Sequence, residues 1–185
     1  MLDGRWLYVA AVPIALAILA RRTSRGRTIV ALVALAHLAV LGNVTLFPIP
    51  IDQAAMTATR TGGDLQLVPF ATIGLVLAGH AGATAERIAL LNVFVLTPAA
   101  ICAALLYPTL RRPPAVLALA LGGGCSIEAA QLSISTVIGV RYRTIDVDDA
   151  ILNAIGIVVG VLAVVVAARA TGARQSAVKR ELSRR

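Results

Sequence analysis

Charge, aromatic rings, cysteine and histidine are all scarce in this chain. Charged residues make up 14%, against roughly 25% in an ordinary soluble domain. Hydrophobic residues reach 58% of 185, and the mean hydropathy is +0.86. A soluble domain of this size leaves too much of its surface in water to hide that much apolar area. Lipid is the solvent these residues suit. Aromatics are only 4%, which removes the stacking platform a single-strand nucleic-acid binder uses. The net charge of +8 therefore has another reading, because the arginines fall in short runs between apolar stretches, as juxtamembrane anchors do. No nucleic-acid partner is expected. The two cysteines, Cys102 and Cys125, lie inside apolar runs without CxxC spacing, so neither a disulfide nor a metal role is expected of them. Only His37 and His80 offer imidazole, and nothing near them in sequence supplies a Ser-His or Cys-His nucleophile.

What the chain has in quantity is long apolar runs. These are Trp6–Ala20, Thr28–Phe47, Ile88–Tyr107, Ala115–Ile138 and Ala150–Ala168, followed by a basic tail, Arg169–Arg185. The first is short for a bilayer core of about 30 Å, but snorkelling arginines can extend it. It carries its arginines after the apolar stretch, which favours a retained helix over a cleaved signal. The segment Leu65–Ala81 is also apolar but holds Pro69, Gly74 and Gly79, and it reads as a re-entrant or interfacial piece. The expected fold is thus all-α, a polytopic helical membrane bundle of about five transmembrane helices.

Positive charge sets the expected orientation. If Leu65–Ala81 does not cross, Arg21, Arg22, Arg25, Arg27, Arg111, Arg112 and the tail place twelve of the seventeen cations on one side, with Glu181 as the one acid there. The positive-inside bias then puts the amino terminus outside and the carboxyl terminus in the cytoplasm.

The polar residues inside the spans carry the chemistry. Glu128 and Gln131 share a helix face, and helical rise puts Glu128 about 10–15 Å below the outer surface. An ionised side chain at the centre of a bilayer costs about 2.5–3.5 kcal/mol on insertion scales unless it is paired, neutral or facing water, so a buried carboxyl there marks a candidate site. Asp149, Asn153, Gly156 and Gly160 form one stripe of the last span. Its two glycines suit close helix packing, and its polar end meets Asn92 at similar depth. Arg141 and Arg143, in the loop before Asp146, Asp148 and Asp149, can pair a phosphate or carboxylate, or can neutralise Glu128 or the aspartates. Asp148 or Asp149 can equally cap the last helix. His37, within the second span, is expected to hydrogen-bond a neighbour. The acidic loop lacks EF-hand spacing, and no metal or cofactor is expected.

These residues fall into a known pattern. ThrLeuPhePro (Thr45 to Pro48), LeuValProPhe (Leu67 to Phe70), Asn92 with Phe94 and Pro98, Glu128 with Gln131, then Arg143, Asp146, Asp149, Asn153, Gly156 and Gly160 resemble the VanZ-like family over roughly Leu41 to Gly160. Members often place a Pro-Leu-Gly turn in the Asn-led span, whereas Pro98 is followed here by Ala99 and Ala100. The resemblance implies one VanZ-like transmembrane domain (1–168) in a bacterial plasma membrane, with 169–185 as a basic cytoplasmic tail. It also implies a link to teicoplanin and related lipid-tailed glycopeptides, but no defined reaction.

Three functions follow from the residues. The first is binding of a lipid headgroup, a lipid-linked cell-wall component or a glycopeptide at the outer face. The second is a membrane-embedded enzyme in which two carboxyl groups divide acid and base work. The third, a small transporter, is disfavoured by five spans without an inverted repeat. Ligand, catalysis and oligomeric state are left open at this level.

Overall fold

A computed structural model describes residues 1–21, 23–59 and 64–182, with side chains through residue 173. Among the described residues the fold is all-α apart from one pair of two-residue strands. Four helical rods among the described residues are long and apolar enough to cross a membrane. They are α2 (Arg25–Leu46), the pair α5 (Gly82–Val95) and α6 (Thr97–Leu106), the pair α7 (Pro113–Gly124) and α8 (Ser126–Ile138), and the first part of α9 (Val147–Leu182). At 22 to 27 residues they measure about 33–40 Å. The fifth expected span, α1 (Arg5–Ala20), has 16 residues and a length of about 24 Å, shorter than the bilayer core. It lies antiparallel against α2: Leu2 and Ile49 form an isolated bridge, and Asn43 Nδ2 donates to Tyr8 Oη at 3.1 Å.

Two spans that the apolar pattern draws as single helices are broken. The third breaks at Leu96, because Pro98 has no N–H to offer the carbonyl of Phe94. The next freed carbonyl, Val95 O, accepts from His37 Nε2 at 2.9 Å, so the histidine expected to bond a neighbour is tied to the break. The fourth span breaks at Cys125, after three consecutive glycines that each cost about 1 kcal/mol of helix propensity.

The last span overruns its expected end. Apolar residues stop at Ala168, but α9 continues through the basic segment to Leu182, since alanine, arginine and glutamine all favour helix and no proline intervenes. The last residues of the basic tail, 183–185, and Arg22 of the first basic cluster lie outside the described residues.

Helix α9 is the axis of the bundle and packs on α5, α6 and α7. Val161 and Ala104 are fully buried in a core shared with Leu41, Leu96, Ala100, Ala120, Ile157 and Val164. Gly156 and Gly160 face the break in the third span. A Cβ at Gly156 would overlap the Val93 carbonyl oxygen, and one at Gly160 would lie 2.7 Å from Thr97 O. Thr97 Oγ1 seals the contact, 2.8 Å from Val93 O and 3.0 Å from Gly156 O. With the core this thin, large side chains such as Leu117, Leu121, Leu162 and Val166 point outward, the arrangement expected of a bundle in lipid.

A short helix, α3 (Gln53–Thr59), precedes the segment Leu65–Ala81, which does not span. Strand β1 (Leu65–Gln66) pairs in parallel with β2 (Ile145–Asp146), in the register Leu65 with Ile145 and Gln66 with Asp146. Helix α4 (Ala71–Leu77) follows, and its seven residues reach only about 10 Å. Connectivity therefore puts the amino terminus, the end of α2 and the starts of α5 and α9 at one end of the bundle. The start of α2, the end of α6 and the start of α7, with Arg25, Arg27, Arg111 and Arg112, lie at the other.

Candidate functional site

The end of α2 poses a hydrogen-bond problem that the rest of the site answers. A helix leaves its last four carbonyls without intrahelical partners. Here Pro48 lacks the N–H that would serve Val44 O, and the next amide, Ile49 N, donates to Leu2 O instead. Residues from α8 and the following loop fill the gap. Gln131 Nε2 donates to Thr45 O at 2.9 Å, and Tyr142 Oη to Leu46 O at 3.0 Å. Arg143 Nη2 reaches Phe47 O at 2.6 Å and Val44 O at 3.3 Å. A guanidinium at this position also complements the negative end of the helix dipole. Tyr142 is buried, and that burial holds its phenol above the ordinary range while the adjacent Arg143 pulls it the other way.

A second set of bonds fixes the start of α9. Asp146 Oδ1 accepts from Asp148 N at 2.9 Å, so Asp146 is the residue that caps α9. Its Oδ2 accepts from Thr72 Oγ1 at 2.7 Å. Asp148, fully buried, faces away from its own helix. It accepts from Phe70 N at 2.5 Å and from Ile73 N at 3.0 Å, capping α4 from across the fold. Capping of the last helix, expected of Asp148 or Asp149, thus falls to Asp146, because the β1–β2 pairing brings α4 directly over Asp148.

Between these two sets lies a pocket of about 410 Å³. Thr45 comes from α2, Ile88 and Asn92 from α5, and Ile127, Glu128 and Gln131 from α8. Tyr142, Arg143 and Thr144 come from the loop, and Asp149 and Asn153 from α9. Six of the eight residues singled out in the sequence therefore meet: Asn92, Glu128, Gln131, Arg143, Asp149 and Asn153. Arg141 is exposed and does not line the pocket, and Asp146 is buried beside it in the capping role. Thr45, Tyr142 and Thr144 are additions. Tyr142 was discoverable by asking which donors could serve the carbonyls stranded before Pro48.

The electrostatics differ from a simple ion-pair cluster. Among the described residues no ion pair joins Arg143 to a carboxylate; the two pairs present, Met1 N with Asp52 and Arg5 with Asp3, are on the surface. The amino-terminal ammonium and the Ala55 amide both bond Asp52, holding its carboxyl below the usual range. Glu128 instead sits in the field of two like charges, Asp149 and Asp146. Asn153 is 1% exposed, and its Oδ1 has no hydrogen-bond partner. Asn92 lies beside Asp149, yet its buried Nδ2 meets no partner in bonding geometry. No group of His, Cys, Asp and Glu among the described residues is arranged to hold a metal ion.

No curated protein and no solved structure matches the chain. A family model described as VanZ/LLP1 matches residues 14–168, a stretch that takes in the end of α1 and the four long apolar rods as far as the end of the last apolar run. Every residue lining the polar pocket, from Thr45 to Asn153, lies within that match, and the chain belongs to the VanZ/LLP1 family.

Proposed function

We propose that this VanZ/LLP1 membrane protein works through the polar pocket at the outer face of a bacterial plasma membrane. There it binds a lipid headgroup, a lipid-linked cell-wall component or the lipid-proximal part of a glycopeptide, and so lowers susceptibility to teicoplanin-type antibiotics. The observation that carries the reading is the pocket itself: two carboxyl groups, three amides and a guanidinium converge on one cavity between otherwise apolar helices. Intramembrane ionisable groups are costly, and they mark ligand paths or binding sites. The outward assignment rests on Arg25, Arg27, Arg111 and Arg112 lying at the opposite end of the bundle, read through the positive-inside bias. By the same bias the amino terminus is outside and the segment 169–185 is cytoplasmic.

The roles follow the bonds. Arg143 holds the end of α2 and presents the rest of its guanidinium to the cavity, while Asn92, Glu128, Asp149 and Asn153 face the ligand. The test is teicoplanin susceptibility, with labelled-antibiotic binding, in a null strain complemented with wild type or Glu128→Ala at equal membrane abundance. Wild type is expected to protect and Glu128→Ala to fail. Equal protection by both would remove the pocket from the function, and protection by neither would remove the resistance role.

The second reading, an enzyme acting on a lipid-linked envelope substrate, is favoured by one specific feature. Glu128 and Asp149 come from different helices to the same cavity, as an acid and base pair requires. Turnover of a lipid-linked precursor by purified protein, abolished in both Glu128→Gln and Asp149→Asn, would select it over binding.

A further inference from the structure

The chemistry of the ligand can be read from what the pocket has left to offer. Its obvious donors are committed: Gln131 Nε2 to Thr45 O, Tyr142 Oη to Leu46 O, and Arg143 Nη2 to Val44 O and Phe47 O. What remains is, as acceptors, the carboxyl groups of Glu128 and Asp149 and the amide oxygen of Asn153, and, as donors, Asn92 Nδ2 beside Asp149 and the other N–H groups of Arg143. Asn153 is the informative one. Its side chain is 1% exposed and its Oδ1 is unpartnered, and leaving a buried acceptor unpaired costs about 1–3 kcal/mol. Asp149 and Asn153 stand one turn apart on α9, and Glu128 faces them from α8.

Charge points the same way. Two carboxylates against one guanidinium leave the ionised lining net negative, and Asp146 adds to the field at Glu128. A ligand suited to this site brings a positive charge and several N–H donors in a small volume. A primary ammonium has three. A quaternary ammonium has the charge but no N–H, and it is recognised by cages of aromatic faces. Tyr142 is the single aromatic residue in the lining, and its hydroxyl is already bonded.

We propose that the pocket binds a primary ammonium group, with Glu128 and Asp149 supplying the charge and Asn153 Oδ1 a further acceptor. The proposal rests on the headgroup-binding reading of the same pocket and narrows it to one chemical class. Two sources carry this group, an ethanolamine lipid headgroup and a free amine.

The test uses the full chain in nanodiscs of phosphatidylglycerol doped with phosphatidylethanolamine, its N-methylated and N,N-dimethylated forms, or phosphatidylcholine. Retained lipid is read by native mass spectrometry. Phosphatidylethanolamine is expected to be retained about tenfold over phosphatidylcholine, a difference of about 1.4 kcal/mol, with stepwise loss at each added methyl. Glu128→Gln and Asn153→Leu, checked for an intact melting transition, are expected to bring the lipids level. Should either variant fail to fold, the methylation series on wild type decides alone. Displacement by soluble ethanolamine would show that the free amine suffices, whereas its failure beside a clear lipid preference would assign the group to the lipid. Equal retention across the series overturns the proposal, as does a preference that survives both variants. Equal retention together with Glu128-dependent protection from teicoplanin would sink the ammonium assignment alone and leave the pocket's role standing.

Discussion

Asp148 and Phe70 stand 78 positions apart in the chain and 2.5 Å apart in the fold, the carboxylate of the first accepting the amide of the second. Phe70 has φ 65, in the left-handed region that a bulky residue rarely adopts. Its side chain is exposed, so burial does not hold it there. The buried carboxylate does, by taking the Phe70 and Ile73 amides together and setting the first turn of α4.

Asp148→Ala should therefore free α4 before it unfolds the bundle. Hydrogen exchange at Ala71–Leu77 is expected to rise sharply while α9 stays protected. Uniform exchange across both helices would mean that Asp148 supports the bundle as a whole. Phe70→Gly, by contrast, should keep or slightly raise the melting temperature, because the left-handed cost of about 1–2 kcal/mol disappears while Gly adds about 0.5–1 kcal/mol of backbone entropy.

Arg143→Ala leaves Val44 O and Phe47 O without their donor at the end of a helix. Hydrogen bonds to a charged group contribute about 1.5–3 kcal/mol, so a clear drop in thermal stability in detergent is expected. Arg143→Lys should recover part of it, since an ammonium can donate to one carbonyl but lacks the fork geometry. An unchanged melting transition in Arg143→Ala would show that α2 ends without it.

Tyr142 sits outside the spans with a raised phenol and a bond to Leu46 O. A phenol raised in the folded state contributes no pH-dependent change below its unfolded value near 10. Above that value the unfolded chain ionises first, and stability falls as pH rises. The difference titration between wild type and Tyr142→Phe, followed by tyrosinate absorbance, should show one phenol ionising above the ordinary value. A midpoint at or below it would contradict the buried placement. Tyr142→Phe itself should cost about 1 kcal/mol at neutral pH.

Gly156→Ala and Gly122→Ala make a controlled pair in the same protein. The first drives a methyl group into the Val93 carbonyl and is expected to destabilise the α5–α9 contact strongly. The second meets nothing within 4 Å and should be neutral or gain up to about 1 kcal/mol from helix propensity. Comparable melting temperatures for the two would mean that α9 can slide away from the break at Leu96.

Much of the molecule was legible without coordinates. The scarcity of charge and the length of the apolar runs determined a helical membrane bundle, because lipid leaves backbone polar groups no partner except within a helix. Helical spacing also placed Asp149 and Asn153 on one stripe, and Glu128 with Gln131 on another, since i, i+3 and i, i+4 relations are local. All four of those residues line one pocket, together with Asn92 and Arg143. What only the tertiary structure decided is how the stranded backbone groups are satisfied. Which donor reaches the carbonyls ahead of Pro48, which helix Asp148 caps, and why Arg143 turns to carbonyls rather than to Glu128 all depend on which chain ends meet in space. A helix end will accept any donor that arrives, and spacing along the chain does not say which one does.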